Sequence, residues 1–295
     1  ENLMAYKKSN HQIFYGWYAA YAPKEGVQSS YKQSASWGEH IAGLPDSVDI
    51  VSLWMGIPTP ENNPIAYREM REVKKIKGTK FVMPEIVRIE KYDWIVKSDS
   101  GLLIYANYLV DKVFEHEIDG LDLDYEPSGS SDYLYTKANF AKLVQYCGQR
   151  IGPMSPNPDK LLIIDYYNYT PPAEVEPYIN LLVNQAYTQG TTSTSASTLQ
   201  SRYNSVNWCP PGKFIVTENF GDWWATGGSP FTEADGNTLT PDGRQMYSLE
   251  GMARWHPVQG KKAGFGVFYF DRDYNNIPPY YNVRRCIQIA NPAVR

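Results

Sequence analysis

The sequence has few of the residues that build disulfide frameworks or metal sites. Its three cysteines, Cys147, Cys209 and Cys286, are odd in number and show no CxxC spacing, so they indicate neither a disulfide framework nor a zinc site. We interpret them as buried thiols. The four histidines are scattered without the spacing of metal ligands. We therefore expect no metal and no other cofactor.

Long runs of charge or of apolar residues are also missing. The 28 Lys and Arg residues face 32 Asp and Glu residues, and no basic run is long enough to follow a phosphate backbone, so we expect no nucleic-acid partner. No apolar run approaches the ~18 residues of a membrane span. The polar opening ENLMAYKKSN has no signal-peptide core. We expect no transmembrane segment, and we expect a monomer.

The composition is that of a packed globular protein. Hydrophobic residues make up 42% and charged residues 20% of 295 residues, which is enough apolar material for a sizeable core. Aromatic residues reach 14%, with 24 Tyr and 8 Trp. Such rings can stack on sugars while their polar atoms bind hydroxyls, but they can equally fill a core, and both interpretations stay open here.

Short apolar or β-branched runs recur along the chain with helix-like segments between most of them. This alternation is typical of a parallel sheet. Eight such runs favour a single (β/α)8 barrel over residues 1–295 rather than a doubly wound open sheet, which would show five or six strands and often a glycine-rich turn after the first. The predicted strands are 12–19, 48–54, 79–86, 118–125, 160–167, 178–185, 213–218 and 263–270.

Helices are predicted over 61–77, 100–116, 131–151 and 281–290, and weaker patterns cover 30–43, 195–206 and 243–256. Proline in YTPPAEVEP limits any helix between the fifth and sixth strands to a short one. The polar run TQGTTSTSAST, residues 188–198, suits a mobile surface loop. Barrel enzymes place such loops at their catalytic face.

The most informative segment is IDGLDLDYEP, residues 118–127, because Asp122, Asp124 and Glu126 sit at alternating positions. In a strand they share one face, while the largely apolar residues between them face covering helices. Three inward carboxylates repel one another unless they share protons or bind a charge, so they could also hold a divalent cation or line a solvated edge. Pro127 ends the strand and leaves Glu126 at its carboxyl end.

The run DGLDLDYE, residues 119–126, resembles the DxxDxDxE signature of glycoside hydrolase family 18, the chitinases and endo-β-N-acetylglucosaminidases, at every acidic position. The resemblance implies that Glu126 protonates the leaving glycosidic oxygen and later activates water. It implies that Asp124 orients the 2-acetamido group of the substrate, whose oxygen is the nucleophile, and that Asp122 shares a proton with Asp124. Asp119 falls on the opposite face of the strand from the other three acids, and we assign it a structural role.

The sixth strand continues into NQAY, in which Gln185 and Tyr187 share a face, and this Q-x-Y pattern is similar to that of the family's endoglycosidases, where the Tyr hydroxyl holds the acetamide. An interior Tyr that closes the barrel is the alternative. The eighth strand, GFGVFYFD, lacks the Trp that usually forms the floor of the −1 sugar subsite, and Tyr269 or Phe268 is expected to replace it.

Three further residues are expected to contact sugar, although each could instead be packing. Asn219 and Trp223 lie in ENFGDWW after the seventh strand, and Trp17 lies near the end of the first. Only about 45 residues separate the seventh and eighth strands, too few for the insertion that deepens many chitinase clefts. This shortness favours the endoglycosidase branch and a shallower cleft that admits a branched glycan.

The resemblance therefore implies a retaining endo-β-N-acetylglucosaminidase that cuts the β1,4 bond in the di-N-acetylchitobiose core of N-glycans. A chitinase acting on linear chitin and a carbohydrate-binding barrel without catalysis are the alternatives. The expected partner is a glycan or glycoprotein that contains N-acetylglucosamine. Because such substrates lie outside the bacterial cytoplasm, we expect a secreted, periplasmic or cell-surface location, reached through an export segment that this sequence does not contain.

Overall fold

Eight parallel strands close on themselves to form a barrel. The computed structural model describes residues 2–21, 40–189 and 192–293. Around the barrel the strands follow the order β1-β8-β7-β6-β5-β4-β3-β2, so the first strand pairs with both the second and the last. The predicted (β/α)8 barrel and its eight strands are confirmed. They are β1 (Ile13–Trp17), β2 (Ile50–Ser52), β3 (Lys80–Ile86), β4 (Gly120–Asp124), β5 (Leu161–Tyr166), β6 (Leu181–Gln185), β7 (Phe214–Asn219) and β8 (Gly264–Phe268).

Helices connect most of the strands. The four stronger helix predictions correspond to α2, α3, α4 and α8, and two weaker ones correspond to the shorter α5 and α7. Most of the predicted helix over 30–43 lies outside the described residues, and its end forms a 3-10 turn, Ile41–Gly43. The α-helices are α1 (Asn2–Lys8), α2 (Pro64–Lys77), α3 (Asp99–Glu115), α4 (Lys137–Gly148), α5 (Ala196–Asn204), α6 (Phe220–Trp223), α7 (Ser248–Arg254) and α8 (Tyr281–Ala290).

Short 3-10 segments occupy the tighter connections. As expected from its prolines, the link between β5 and β6 holds only the 3-10 helix Ala173–Tyr178. The others lie at Ile89–Lys91, Tyr133–Tyr135, Pro211–Lys213 and Phe270–Asn275. None of the helices in the described residues is long and apolar enough to cross a membrane.

Local sequence explains where α2 begins and ends. Asn63 accepts a hydrogen bond from the backbone N–H of Ala66, and Pro64 occupies the first helical position, where its missing N–H leaves no bond unmade. Gly78 ends the helix with a φ of 69°, a left-handed conformation that an L side chain rarely adopts. The connection thereby returns the chain to Lys80 at the start of β3.

The buried apolar residues form two layers. Leu121, Leu123 and Tyr125 face outward from the β4 segment and are fully buried against the helices, with the Tyr125 ring stacked 3.7 Å from that of Phe140 on α4. The second layer fills the barrel interior, and its residues alternate with the outward set, as the period of a strand requires. It includes Tyr15, Trp17, Ile50, Val82, Ile163, Val183 and Ile215.

The seam between β1 and β8 depends on two glycines. A Cβ added at Gly266 would lie 1.7 Å from the carbonyl oxygen of Tyr15, and one added at Gly264 would lie 1.9 Å from that of Ile13. Both distances are far below van der Waals contact, so only glycine permits this approach of the two strands. The seam also fixes the position of Tyr15 along the barrel axis, because Tyr15 pairs with Gly266 on one side and with Ile50 on the other.

The polar segment 188–198 is more regular than a surface loop. Thr194–Ser195 forms a two-residue strand that pairs in parallel with Phe231–Thr232, and α5 begins directly afterwards. Ser195 caps α5 by accepting a hydrogen bond from the N–H of Thr198. Residues 190 and 191 lie outside the described part of the chain.

Candidate active site

Three acidic side chains project from the carboxyl end of β4 into the barrel. Asp122 is fully buried below, and Asp124 and Glu126 are partly exposed above it. The two upper carboxyls line a cavity of about 310 Å³ at this end of the barrel. The shared face predicted from the alternating sequence is therefore present, with Glu126 directly after the strand.

A fourth carboxyl, that of Asp165, completes the cluster. Asp165 lies on β5, where its Cα pairs with that of Asp124, and its side chain is fully buried. Carboxylate oxygens of Asp124, Glu126 and Asp165 all lie within 4.8 Å of one another. Asp165 was not predicted from the sequence, although one ionisable residue in the apolar run LLIIDY was a usable signal.

Two polar side chains reach into the cluster from other strands. Tyr15 on β1 donates its hydroxyl hydrogen to Oδ2 of Asp122. Gln185 at the end of β6 donates from Nε2 to Oε1 of Glu126 at 2.7 Å and to Oδ1 of Asp165 at 2.6 Å. Because both partners are acceptors, the nitrogen rather than the oxygen of the Gln185 amide must lie between them.

Shared protons can satisfy the remaining carboxylate oxygens. Oδ1 of Asp122, Oδ1 of Asp124 and Oδ2 of Asp165 are buried and receive no hydrogen bond from a donor in the described residues. A buried acceptor without a donor is destabilising, and two facing carboxylates repel each other. A carboxyl that carries a proton removes both penalties, because it becomes a donor to its neighbour.

The electrostatics of the cluster agree with proton sharing. Burial raises the pKa of Asp122 to about 7, while hydrogen bonds from Asp165 and Tyr15 oppose the rise. Burial, followed by the negative charges of Asp165 and Glu126, holds the pKa of Asp124 well above its usual range. The pKa of Asp165 is likewise raised well above its usual range, by burial and by the charge of Asp122. Protons are therefore retained in the cluster at neutral pH.

Aromatic rings form the wall of the cavity opposite the acids. Phe268, the last residue of β8, lies at the centre, with ring centroids 4.9 Å from Trp54, 5.9 Å from Tyr187 and 6.1 Å from Trp17. Burial and the nearby carboxylates raise the pKa of Tyr187 well above its usual value, so its hydroxyl stays protonated and able to donate. The cavity is lined by Trp17, Trp54, Pro84, Ile86, Asp124, Glu126, Gln185, Tyr187 and Phe268.

Tyr269 is not among the residues that line this cavity, and its contact with sugar stays a prediction. β8 ends at Phe268, and Tyr269 follows with a φ of 62°. The alternation of side chains between the two faces of the strand therefore stops before Tyr269. Its ring packs instead against Trp54 at 5.6 Å and beneath the guanidinium of Arg272 at 5.4 Å. Phe268, the other expected candidate, lines the cavity.

Asn219 and Trp223 also lie outside the cavity lining. Asn219 caps α6, because its Oδ1 accepts a hydrogen bond from the N–H of Gly221 at 2.7 Å. The indole N–H of Trp223 donates to the carbonyl oxygen of Thr188 at 3.2 Å and thereby holds the segment after β6. Both residues support loops at the catalytic face, whereas Trp17 occupies its expected place in the wall.

Polar contacts fix the loops around Glu126 and Gln185. Arg88, after β3, donates from Nη2 to the carbonyl oxygen of Glu126 at 3.0 Å. The buried carboxylate of Glu218 accepts hydrogen bonds from the N–H and hydroxyl of Thr188, both at 2.9 Å, and from the hydroxyl of Ser248 at 2.6 Å. The chain that leaves β6 with Tyr187 is therefore held to β7 and α7.

The carboxyls of Asp124, Glu126 and Asp165 lie close enough together to bind a cation. The position of the Gln185 amide is unfavourable for one. Its amide nitrogen occupies the space between Glu126 and Asp165 and directs its hydrogens at both. A bound cation would displace that group, because N–H hydrogens carry partial positive charge and repel it. Retained protons balance the cluster without a metal, and we assign no metal ligands here.

Two larger cavities formed by described residues lie away from the acidic cluster. One of about 340 Å³ opens at the opposite end of the barrel, where Ile13, Ile50 and Leu181 begin their strands. The other, about 580 Å³, is a surface groove beside Arg71 and His116 on the outside of the helical layer. Catalytic groups of α/β barrels lie at the carboxyl ends of the strands, so the smaller cavity is the candidate active site.

Comparisons with known proteins identify the family of the chain. The family model described as the endo-beta-N-acetylglucosaminidase EndoS TIM-barrel domain matches residues 16–268. Endo-beta-N-acetylglucosaminidase F2 from Elizabethkingia meningoseptica is 30% identical over 285 residues, covering 92% of this chain and 77% of that protein.

Solved structures share the fold at lower identity. An endo-beta-N-acetylglucosaminidase from Cordyceps militaris has a TM-score of 0.71 at 21% identity, over 99% of this chain and 95% of that one. A mutant of the same enzyme, solved with fucosyl-N-acetylglucosamine-Asn, has a TM-score of 0.69 at 21% identity and the same coverage. A chitinase from Bacteroides thetaiotaomicron has a TM-score of 0.62 at 10% identity, over 97% of this chain and 99% of that one.

Fold and site together define a barrel glycosidase, with carboxyls gathered at the carboxyl ends of the strands and facing an aromatic wall. The family match spans most of the barrel, from Gly16 to Phe268. The chain belongs to the endo-β-N-acetylglucosaminidases of the EndoS TIM-barrel family, which are glycoside hydrolases. The resemblance found in the sequence of β4 is thereby confirmed.

Proposed function

We propose that the protein hydrolyses the β1,4 bond in the di-N-acetylchitobiose core of N-glycans, with retention of configuration and with the substrate's own acetamide as nucleophile. The observation that carries this proposal is the cluster of carboxyls beside a cavity walled by Trp17, Trp54 and Phe268. A sugar ring stacked on that wall would present its anomeric carbon to Glu126.

In this mechanism Glu126 is the general acid and then the general base. It is partly exposed at the cavity, where it can reach a glycosidic oxygen, and Gln185 holds its Oε1 in one position. After the leaving group departs, the same carboxylate takes a proton from the attacking water. Arg88 fixes the main chain at this residue through the carbonyl oxygen.

The neighbouring acids are poorly suited to a covalent role. A carboxyl attacks an anomeric carbon only as the anion, and burial keeps the pKa of Asp124 well above its usual range. Asp124 serves instead to receive the N–H of the acetamide, and Asp122 stabilises it by sharing a proton. The acetamide oxygen then attacks and forms an oxazolinium intermediate.

We propose that Tyr187 holds the acetamide during that attack. It lines the cavity beside Phe268 and remains protonated, so it can donate to the acetamide oxygen. Both N–H hydrogens of Gln185 already bind Glu126 and Asp165. We therefore assign the acetamide contact to Tyr187 and the orientation of Glu126 to Gln185.

A chitinase activity is the second candidate, because a chitinase shares the barrel. Two features favour the N-glycan. The structure solved with fucosyl-N-acetylglucosamine-Asn is that of an endo-beta-N-acetylglucosaminidase. The segment between β7 and β8 holds only α6, the short strand Phe231–Thr232 and α7, without a large inserted unit to deepen the cleft.

We further propose that residues 1–295 form one catalytic domain, that the protein acts as a monomer, and that it works outside the cytoplasm. The barrel strands extend from Ile13 to Phe268 and α8 packs after them, which supports one catalytic unit. An external location follows from the glycoprotein substrate. Size-exclusion chromatography with light scattering and cell fractionation test the second and third of these statements.

Mass spectrometry of glycoproteins after incubation with the protein tests the activity. Substrates are a high-mannose glycoprotein, a complex-type glycoprotein and chitin oligomers, and Glu126→Gln is run in parallel as the matched control. Release of a glycan that leaves one N-acetylglucosamine on Asn is expected for at least one glycoprotein. Cleavage of chitin oligomers alone would replace this proposal with the chitinase, and equal product from Glu126→Gln would overturn the assignment of the acid.

A further inference from the structure

Asp165 has no role in the reaction as assigned so far. It is the fully buried acid of β5, and it contacts the amide of Gln185 rather than the cavity. We propose that Asp165 is a positioning residue that fixes the amide of Gln185 in the one orientation that donates to Glu126. The inference rests on the proposed function, because it assumes that Glu126 is the general acid.

The geometry requires two acceptors for one NH2 group. Nε2 of Gln185 lies 2.7 Å from Glu126 and 2.6 Å from Asp165, so each of its two hydrogens has a separate acceptor. An amide can turn about its last side-chain bond and exchange its oxygen for its nitrogen. In the turned state the oxygen would face two acceptors and repel both. Asp165 therefore excludes the orientation in which Gln185 fails to hold Glu126.

Register and burial keep Asp165 in place. Its Cα pairs with that of Asp124 on β4 and with that of Val183 on β6, two residues before Gln185. The side chain is inaccessible to solvent, so a side chain of similar shape without an acceptor fills the space that a replacing water would need. Loss of the acceptor leaves one N–H of Gln185 without a partner and the amide free to turn.

The two oxygens of the Asp165 carboxyl differ in their hydrogen bonds. Oδ1 accepts from Gln185, whereas Oδ2 receives no hydrogen bond from a described donor. A hydrogen bond between Asp165 and Asp122 requires a proton on one of them, and burial favours the neutral form of Asp165. A neutral group with an acceptor on one side and a donor on the other has the hydrogen-bonding pattern of a primary amide.

This pattern predicts opposite results for two substitutions. Asp165→Asn keeps an oxygen for Gln185 and supplies N–H hydrogens for Asp122, so we expect kcat within about threefold of wild type. Asp165→Val has a similar shape and no acceptor, so we expect kcat to fall by about 10- to 100-fold. We expect KM to change by less than about threefold in both variants, because Asp165 does not reach the cavity.

A double-variant cycle tests whether Asp165 acts through Gln185. Gln185→Leu alone should lower kcat about as much as Asp165→Val, and the combined variant should lie within about threefold of the more severe single variant. Multiplied losses in the combined variant would show that the two residues act independently. Asp273→Asn is the matched control, since Asp273 is an equally buried acid that accepts from Asn282 and the N–H of Val283. It should lose stability and keep its kcat.

Two readouts separate positioning from general support of the fold. The alkaline limb of kcat should move to lower pH by about 1 unit in Asp165→Asn, because a cluster with one acid fewer loses its last proton more readily. In NMR spectra, the two Gln185 side-chain N–H signals, assigned by their absence in Gln185→Leu, should both be shifted downfield by their carboxyl acceptors in wild type, and one of them should move upfield in Asp165→Val, where its acceptor is lost. The second readout does not depend on activity.

The outcomes distinguish this inference from the proposed function. No cleavage by wild type would refute the function, while the N–H signals would still report on Asp165. Wild-type activity with an unchanged kcat and pH profile in Asp165→Val would overturn the positioning role and leave the function intact. If Asp165→Val does not fold, a loss of kcat greater than about tenfold in Asp165→Asn with unchanged Gln185 signals would overturn the role as well, because that variant keeps the acceptor for Gln185.

Discussion

The hydroxyl of Tyr15 on β1 donates a hydrogen bond across the barrel interior to Oδ2 of Asp122 on β4, which lies 107 positions later in the sequence. Both side chains are fully buried. The contact therefore joins the floor of the acidic cluster to the first strand of the barrel. It supplies Oδ2 of Asp122 with a donor that is not itself an acid.

Removal of this donor is expected to reduce both stability and turnover. Tyr15→Phe leaves a buried acceptor unsatisfied, so the free energy of unfolding should fall by about 1–3 kcal/mol. The pKa of Asp122 should rise further, because a hydrogen bond that favours its anion is lost. We expect kcat to fall about tenfold as proton sharing with Asp124 changes. Urea unfolding and steady-state kinetics give the two quantities.

Tyr203→Phe is the control for this prediction. Tyr203 is also buried, and its hydroxyl donates to the carbonyl oxygen of Cys209 at 2.7 Å, in the helical layer outside the barrel. Its loss should reduce stability by a similar amount and leave kcat unchanged. Equal losses of kcat in the two variants would contradict a specific role for the contact between Tyr15 and Asp122.

Glu126→Gln is expected to bind glycan without cleaving it. The amide is of similar size and can still accept from Gln185, but it cannot transfer a proton, so kcat should fall by about 100- to 10,000-fold. Titration calorimetry should give an affinity for the intact glycopeptide within about threefold of wild type, measured under conditions of negligible turnover. Glu85→Gln is the matched control, because Glu85 on β3 binds Tyr92 and Tyr105 and should leave kcat unchanged.

The raised pKa of Asp122 predicts how stability depends on pH. Because the folded value is about 7 and the unfolded value is near 4, the folded state binds the proton more tightly between these limits. The contribution of Asp122 to stability is therefore fully present below about pH 4 and is lost as the pH rises through about 7. Asp122→Asn should lack this contribution, so its free energy of unfolding should depend less steeply on pH.

Chemical denaturation of wild type and Asp122→Asn between about pH 5 and 7.5 measures this difference. Exposed acids with lowered pKa values, such as Asp99 and Asp242, are ionised throughout that range and do not contribute to the slope. Histidine titrations affect both proteins equally and cancel in the difference. Parallel curves for the two proteins would rule out a raised pKa for Asp122.

The position of the subsite floor is tested with neighbouring residues. Phe268→Leu should lower kcat/KM by about tenfold, because an aromatic contact with sugar contributes about 1–2 kcal/mol. Tyr269→Leu should change kcat/KM by less than threefold, since Tyr269 packs against Trp54 and Arg272 outside the cavity lining. A larger loss in Tyr269→Leu than in Phe268→Leu would restore Tyr269 as the floor.

The sequence predicted what depends on strand period and on local pattern. The shared face of Asp122, Asp124 and Glu126 follows from a period of two, and the barrel follows from the count of eight apolar runs. It did not predict Asp165, which β5 brings to that face. Asp165 joins the cluster only because β5 aligns it with Asp124, and a lone acid in an apolar run does not reveal its partner.

The structure differs from the predicted strand and loop boundaries where strands end. The eighth strand was predicted to extend past Phe268, whereas β8 ends there and Tyr269 follows with a φ of 62°. Asn219 lies at the start of a helical turn, where its side chain caps α6. Such ends depend on tertiary contacts that a single sequence does not contain.

The geometry of the active site depends on Gly264 and Gly266 of β8, the last strand of the barrel. Tyr15 is one of the residues whose carbonyl oxygen approaches β8 too closely for any side chain. A larger residue at Gly266 would move β1 outward and withdraw the Tyr15 hydroxyl from Asp122, although Gly266 itself contacts no acid. The hydrogen bond from Tyr15 to Asp122 therefore forms only when the barrel closes. In a chain whose first and last strands have not yet paired, the acidic cluster lacks this donor.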